Sequence, residues 1–388
     1  MSMKKIALSL LASTALVGAF AQPATVLAQD AIKIGANYEL SGEAASYGQQ
    51  MVDGLNLAIE QVNADGGLLD GQQVEAVVYD NLSDTTETAS IAQRLISEDV
   101  VGIVGPALTG TSNAQKTITN AEGVPTVSPS ASDDNYTLDE AGDVLEYVFR
   151  VCFWNSYQAN VGAKFAAENL GTTKAAMIVD TASDYSTGLA ATFADEFTNR
   201  GGEIVTEQNF TAGETDFSAV LTTILSSDVD VIYIPSYYTE AGLIIKQARE
   251  MGIETPIVGA DGMSSDVLVE LAGAENATNV HYSDHFSAAS EEAIVQEFMT
   301  AFEDKYGSEA STFNALGYDA AMLLMDAIER ADSTDREAIT EQLAATTDYE
   351  GVTGTFSMDE LHNPVKSAVM ISLENGEIVS AENVTAEE

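Results

Sequence analysis

The side chains of this sequence best placed to do chemistry are hydroxyls at the ends of buried strands. Thr109, Thr111 and Ser112 follow the apolar run Val100 to Val104, and Ser128, Ser130 and Ser132 close or follow the run at Thr126 and Val127. Neither run alternates as a half-exposed strand would. Each ends in a proline turn, at Gly105-Pro106 and at Pro129, and the first opens into a helix at about Thr111. Hydroxyls beside the unpaired amides of a helix start suit a carboxylate or another anion. Ser, Thr and Gly in such places are also ordinary caps and turns, and these two segments alone do not separate the readings. Further along, Tyr47, Asp184 with Tyr185, Tyr237 with Tyr238, and Asp261 each stand past an apolar run. Tyrosines and an acid suit an ammonium group and the side chain beside it, so a small zwitterion fits between the two sets.

Enzyme signatures fail one by one. There is no Gly-x-Gly-x-x-Gly after the first strand, no phosphate loop ending in Gly-Lys-Ser/Thr, no Gly-x-Ser-x-Gly and no His-Glu-x-x-His. His281 and His285 are four apart, as metal ligands on a helix would be. Tyr282-Ser283-Asp284 between them reads instead as a strand end and loop, so no metal and no cofactor are expected. The lone Cys152 lies in an apolar strand and reads as a small buried hydrophobe that forms no internal disulfide. No catalytic residues are expected.

The 388 residues carry 61 acidic and 15 basic side chains, a formal charge of -46, yet 45% are hydrophobic. That apolar content argues against disorder, and the charge repels nucleic acid and anionic membrane surfaces. Carboxylates spread over most helices are expected of a protein adapted to high salt. The fold should therefore melt at a higher temperature in molar NaCl than in dilute buffer, where self-repulsion is unscreened; equal melting temperatures would refute this. Lys4 and Lys5, the apolar stretch Ile6 to Phe20 and the small residues after it read as a signal peptide cleaved at Ala28 or Ala21. With no cysteine at that boundary to take a lipid, the expectation is a soluble periplasmic protein that does not insert in a membrane after cleavage.

Apolar runs alternating with segments of helical period position these residues, the signature of a parallel α/β sheet. Ile32 to Tyr38 reads as the first strand, and Met51, Leu55, Ala58, Ile59 and Val62 share one helix face before Asp65-Gly66-Gly67. A second series starts near Val148, which implies a second lobe. Ile103-Val104-Gly105-Pro106 and Ile232-Tyr233-Ile234-Pro235 are its matching strand ends. Beyond Val280 the sequence turns mainly helical, with late strands at Thr355-Phe356 and Val365 to Leu373. No low-complexity tether separates the lobes, so short crossovers and a ligand cleft between them are expected.

Several motifs in order carry a resemblance over about Ile32 to Gly376. They are Ile32-Lys33-Ile34-Gly35, Leu40-Ser41-Gly42 with Tyr47-Gly48, Asn63-Ala64-Asp65-Gly66-Gly67, and Val124-Pro125-Thr126-Val127-Ser128-Pro129. Later come Phe149-Arg150, the run Thr211 to Phe217, and Gly317-Tyr318-Asp319-Ala320. With these the chain resembles the periplasmic leucine/isoleucine/valine-binding proteins, the type I substrate-binding subunits of ABC importers. The resemblance implies an α/β fold of two lobes, each a mostly parallel sheet flanked by helices, joined by three crossover strands. Lobe 1 would be residues 29–152 with 285–358, and lobe 2 residues 153–284 with 359–388, after a signal peptide at 1–28. It further implies that Thr109, Ser130 and Ser132 hold the ligand carboxylate and that Asp261 holds the ammonium. Tyr185 and Tyr237 would line the second lobe and Tyr47 the side-chain pocket. The expected partners are an amino acid, branched-chain or otherwise aliphatic, and the importer's permease subunits, the protein itself being a monomer. The alternatives are the same fold binding a short amide, urea or aromatic carboxylate, or sensing a ligand for a membrane receptor.

Overall fold

Parallel strands cannot be joined by tight turns, and the helices that join them fix where the site falls. The computed structural model describes residues 31–384; the signal peptide and its cleavage position lie outside the described residues. The first sheet contains β1 (Ile32–Tyr38), β2 (Val74–Asp80), β3 (Gly102–Val104), β4 (Thr126–Ser128) and β5 (Val148–Arg150). Their order is β2-β1-β3-β4-β5 and every pairing is parallel. Three crossovers run through α1 (Ala45–Ala64), α2 (Thr85–Ser97) and α3 (Thr109–Ala121).

The second sheet has the order β14-β13-β10-β9-β8-β6-β7. Its parallel part is β6 (Lys174–Asp180), β7 (Glu203–Phe210), β8 (Val231–Ile234), β9 (Ile257–Gly259) and β10 (Val280–Asp284). The returning strands β13 (Ala368–Glu374) and β14 (Glu377–Val384) add to it antiparallel. Around this sheet lie α4 (Asn155–Lys164), α5 (Asp184–Asn199), α6 (Ser218–Leu225), α7 (Tyr238–Glu250) and α8 (Asp266–Ala272). The next helices, α9 (Ala293–Tyr306), α10 (Thr312–Ala331) and α11 (Arg336–Ala344), return to the first sheet, where α10 packs along α1 and over β3 and β4. A small hairpin of β11 (Tyr349–Gly351) and β12 (Gly354–Phe356) follows. The fold is thus two-lobed, and the chain passes between the sheets three times, after β5, after β10 and between β12 and β13.

The α1–α10 pair is close because glycines stand where the helices meet. A Cβ at Gly54 would lie 2.0 Å from the Asn314 carbonyl oxygen, and one at Gly317 would lie 2.3 Å from that of Met51. Arg150, wholly buried at the end of β5, ties two of the passages together. Its Nε donates to Asn363 Oδ1 at 2.7 Å, and its Nη1 donates to the carbonyls of Ala131 at 3.0 Å and Asp133 at 2.7 Å.

Several sequence expectations need correction. The stretch after Val280 begins as a strand, β10, which pairs with β9 and β13 in the middle of the sheet. Helix α3 starts at Thr109, not Thr111. The strand β14 has no apolar pattern to announce it because it is an edge, with Ile378 and Val379 exposed.

Candidate functional site

A cavity with about 260 Å³ of empty volume, open solvent included, lies where the strand ends of the two sheets face each other. From the first lobe it is lined by Tyr47, Ala107, Leu108, Thr109, Ser130 and Phe313. The second lobe supplies Tyr185, Tyr237, Asp261 and Gly262.

The first wall is the start of α3. Helix α2 is capped by Asp84 and α5 by Ser183, but the N-cap of α3 is Leu108, whose side chain caps nothing. The Thr109 and Gly110 amides therefore keep no acceptor among the described residues. The two amides before them are taken by a residue that sequence reasoning did not single out. Glu39, fully buried at the end of β1, accepts from Ala107 N at 2.9 Å, Leu108 N at 3.3 Å and the Thr111 hydroxyl at 2.6 Å. Burial pushes its carboxyl up from the usual range while these donors pull the other way.

The expected row of hydroxyls divides. Thr111 turns to Glu39, while Ser112 and Ser128 both donate to the Pro106 carbonyl. Ser130 lines the cavity with its hydroxyl proton committed to the Ala107 carbonyl at 2.6 Å. Thr109 lines it as well. Ser132 does not: it is buried behind Thr109, its amide donating to Thr109 Oγ1 at 3.3 Å and its carbonyl accepting from Asn155 N at 2.6 Å. Its hydroxyl stands 3.4 Å from Thr109 Oγ1.

The second wall carries the charge. Asp261 follows β9 and begins a single 3-10 turn, Asp261–Met263, without capping it. Its Oδ1 accepts from the Tyr185 hydroxyl at 2.7 Å, and its Oδ2 accepts from His285 Nε2 at 3.0 Å. The Tyr185 ring, in the first turn of α5, stacks on Tyr237 at 4.9 Å and 9°, and its hydroxyl also accepts from Gly262 N at 2.8 Å. Burial lowers His285 to about 4, so the imidazole is neutral near pH 7. Among the described residues neither Lys nor Arg pairs with Asp261. An acid held by two neutral donors awaits a cation.

Tyr47, on α1, joins the walls. Its hydroxyl donates to the Gly262 carbonyl and accepts from Tyr238 N at 3.2 Å, while the Tyr238 hydroxyl donates to the Glu43 carbonyl at 3.0 Å. The Tyr47 ring lies 4.4 Å from Phe313 and 5.9 Å from Tyr237. These rings, with Ala107 and Leu108, leave a small apolar space between the uncapped helix start and the acid. That geometry fits a compact zwitterion with an aliphatic side chain.

Of the seven residues expected from the sequence, Tyr47, Thr109, Ser130, Tyr185, Tyr237 and Asp261 meet at this cavity. Sequence reasoning missed Glu39, Phe313 and His285. Only His285 had a signal, its four-residue spacing from His281. The two do not converge: His281 Nδ1 faces Ser372 Oγ at 2.8 Å and its Nε2 faces Asn279 Oδ1 at 3.2 Å. Cys152 is buried with its Sγ 3.3 Å from the Ala131 carbonyl, and burial pushes the thiol up to about 12. It is poorly suited to act as a nucleophile.

A family model described as periplasmic binding protein matches residues 31–377. The leucine-, isoleucine-, valine-, threonine- and alanine-binding protein of Pseudomonas aeruginosa is 27% identical over 86% of this chain and 87% of its own length. The Leu/Ile/Val-binding protein BraC3 of Rhizobium johnstonii is 30% identical over 92% of this chain and 95% of its own. Among solved structures, the branched-chain amino acid transporter substrate binding protein LivJ of Streptococcus pneumoniae, in complex with isoleucine, is 40% identical. It superposes with a TM-score of 0.87 over 92% of this chain and 100% of its own.

Proposed function

Because the chain belongs to the periplasmic binding protein family, we propose that it is the extracytoplasmic solute-binding component of an ABC importer. It captures a branched-chain or other aliphatic amino acid in the interlobe cavity and hands it to the permease. The observation that carries this reading is the pairing of unlike walls. The uncapped start of α3, with Thr109 and the Ser130 segment, receives the α-carboxylate, and Asp261 receives the α-ammonium. Tyr47, Phe313, Leu108 and Tyr237 enclose the side chain, and the step is binding with no turnover.

Within the described residues the lobes are read as 31–152 with 285–358, and 153–284 with 359–384. The three passages between the sheets support that division. We further read the protein as a periplasmic monomer exported by its signal peptide; among the described residues no helix is long and apolar enough to cross a membrane. A short amide, urea or aromatic carboxylate would leave Asp261 without a cation, which favours the amino acid.

Calorimetry with a panel of L-amino acids, benzoate and urea, in molar NaCl, tests the assignment. One site is expected, filled by isoleucine, leucine or valine and not by benzoate or urea. Heat with benzoate or urea and none with any amino acid would overturn it.

A further inference from the structure

His285 stands directly behind the acid of the site. It opens the passage after β10, its side chain is wholly buried, and its ring stacks on Phe153 at 3.6 Å and 21°. Nε2 faces Asp261 Oδ2, so the donor there is the Nε2–H tautomer, and Nδ1 has no partner among the described residues. His285 does not line the ligand cavity. It lines a separate one of about 900 Å³ empty volume, open solvent included, whose walls include Ser290, Glu292, Thr353 and Asn383.

We propose that His285 is a positioning residue that makes amino-acid capture proton-linked. Neutral, with its proton on Nε2, it holds the Asp261 carboxylate toward the ligand. A proton taken up at Nδ1 turns it into a cation that competes with the ligand ammonium for Asp261. The proposal rests on the amino-acid reading of the first cavity.

The surroundings set where this happens. Besides Asp261 and the Tyr185 hydroxyl on it, the charged or titratable groups nearby come from all three passages. Asp284 precedes the imidazole and accepts from His285 N and from the Ser264 hydroxyl, both at 2.7 Å. Lys366, on the third passage, donates to Thr353 Oγ1 at 2.8 Å; Cys152 lies on the first, and Glu292 lines the second cavity. Burial holds His285 down to about 4 and Lys366 works in the same direction, while Asp261 opposes them. Burial raises Asp284 to about 6, so it titrates at higher pH than His285. The imidazole is therefore neutral near pH 7 and gains its proton as the pH falls through about 4. A bound ammonium excludes that proton, so affinity is lost on the acid side by up to about tenfold per pH unit.

Two measurements on the mature full-length protein test this. In 15N-histidine-labelled protein, whose histidines number only three, His285 is expected as the Nε2–H tautomer at pH 7, titrating near 4 and lower still with isoleucine bound. Isoleucine affinity by calorimetry is expected to fall as the pH drops from about 5 to about 3.5, over the range where the circular dichroism is unchanged. His285→Gln keeps an N–H for Asp261 but cannot take up the proton, so it should bind within about threefold of wild type at pH 7 and lose the acid-side fall. His285→Phe keeps the stacking but removes the donor, and should weaken binding about tenfold at pH 7. An Nδ1–H tautomer, a titration near the ordinary histidine value, or an unchanged acid-side fall in His285→Gln would overturn the proposal, the last assigning the proton to Asp261 or Asp284. If wild type binds no amino acid at pH 7, the reading of the ligand fails, and the tautomer and titration still judge His285.

Discussion

Asp261→Ala should weaken isoleucine binding by roughly 2–5 kcal/mol, about 30- to 4,000-fold, the usual cost of removing one partner of a buried charge pair. The size follows from the lack of any substitute. The carboxylate is about 3% exposed, its partners are the Tyr185 hydroxyl and the neutral His285, and among the described residues no other acid lines the cavity. Without it the ligand ammonium would be buried against a tyrosine hydroxyl and an imidazole. Asp261→Asn keeps the shape and an oxygen acceptor while removing the charge, so nearly the same loss is expected if charge is what matters. Calorimetry of both variants at pH 7 decides the point, and a dissociation constant within threefold of wild type in both would end the zwitterion reading. Thermal stability should hold or rise, because an acid without a cation is a cost to the folded state.

Arg150→Met should destabilise the fold by about 3–5 kcal/mol, from three lost charge-assisted hydrogen bonds at about 1.5–3 kcal/mol each, of whose acceptors only Asn363 Oδ1 is left with no other donor, less the relief of no longer desolvating a guanidinium. The acceptors are the Ala131 and Asp133 carbonyls and Asn363 Oδ1, none of which a thioether can serve. The relief is real, since Nη2 has no partner among the described residues and burial lowers the guanidinium from its usual value. Urea unfolding in high salt measures the loss, and a change below about 1 kcal/mol would refute the tie between the passages. Because the same bonds hold the segment that carries Ser130 and Ser132, ligand affinity should fall with stability.

Where the sequence was legible, the signal was local. Ile32–Tyr38 and Ile257–Gly259 are found at the positions read from their apolar runs, because buried parallel strands must be apolar on both faces. Strand ends then placed Thr109, Tyr185, Tyr237 and Asp261 on the edge where ligands bind such sheets. What escaped depends on distant partners. Glu39 lies 68 residues before the Ala107 amide it accepts from, and His285 lies 24 residues after Asp261. Ser132 matches Ser130 in type and spacing but is not among the residues that line the cavity, and its carbonyl accepts from the distant Asn155 amide. Phe313 reaches the cavity from a helix late in the chain, and nothing in its neighbours marks it.

Tyr47 is bonded to the Gly262 carbonyl and the Tyr238 amide, contacts that the chain makes entirely with itself. Every polar group in that latch is met by water when the lobes part, so each bond favours closure by only about 0.5–1.5 kcal/mol. The latch is a weak bias of that size per bond, and whatever fills the cavity supplies the rest of the drive toward the shut form.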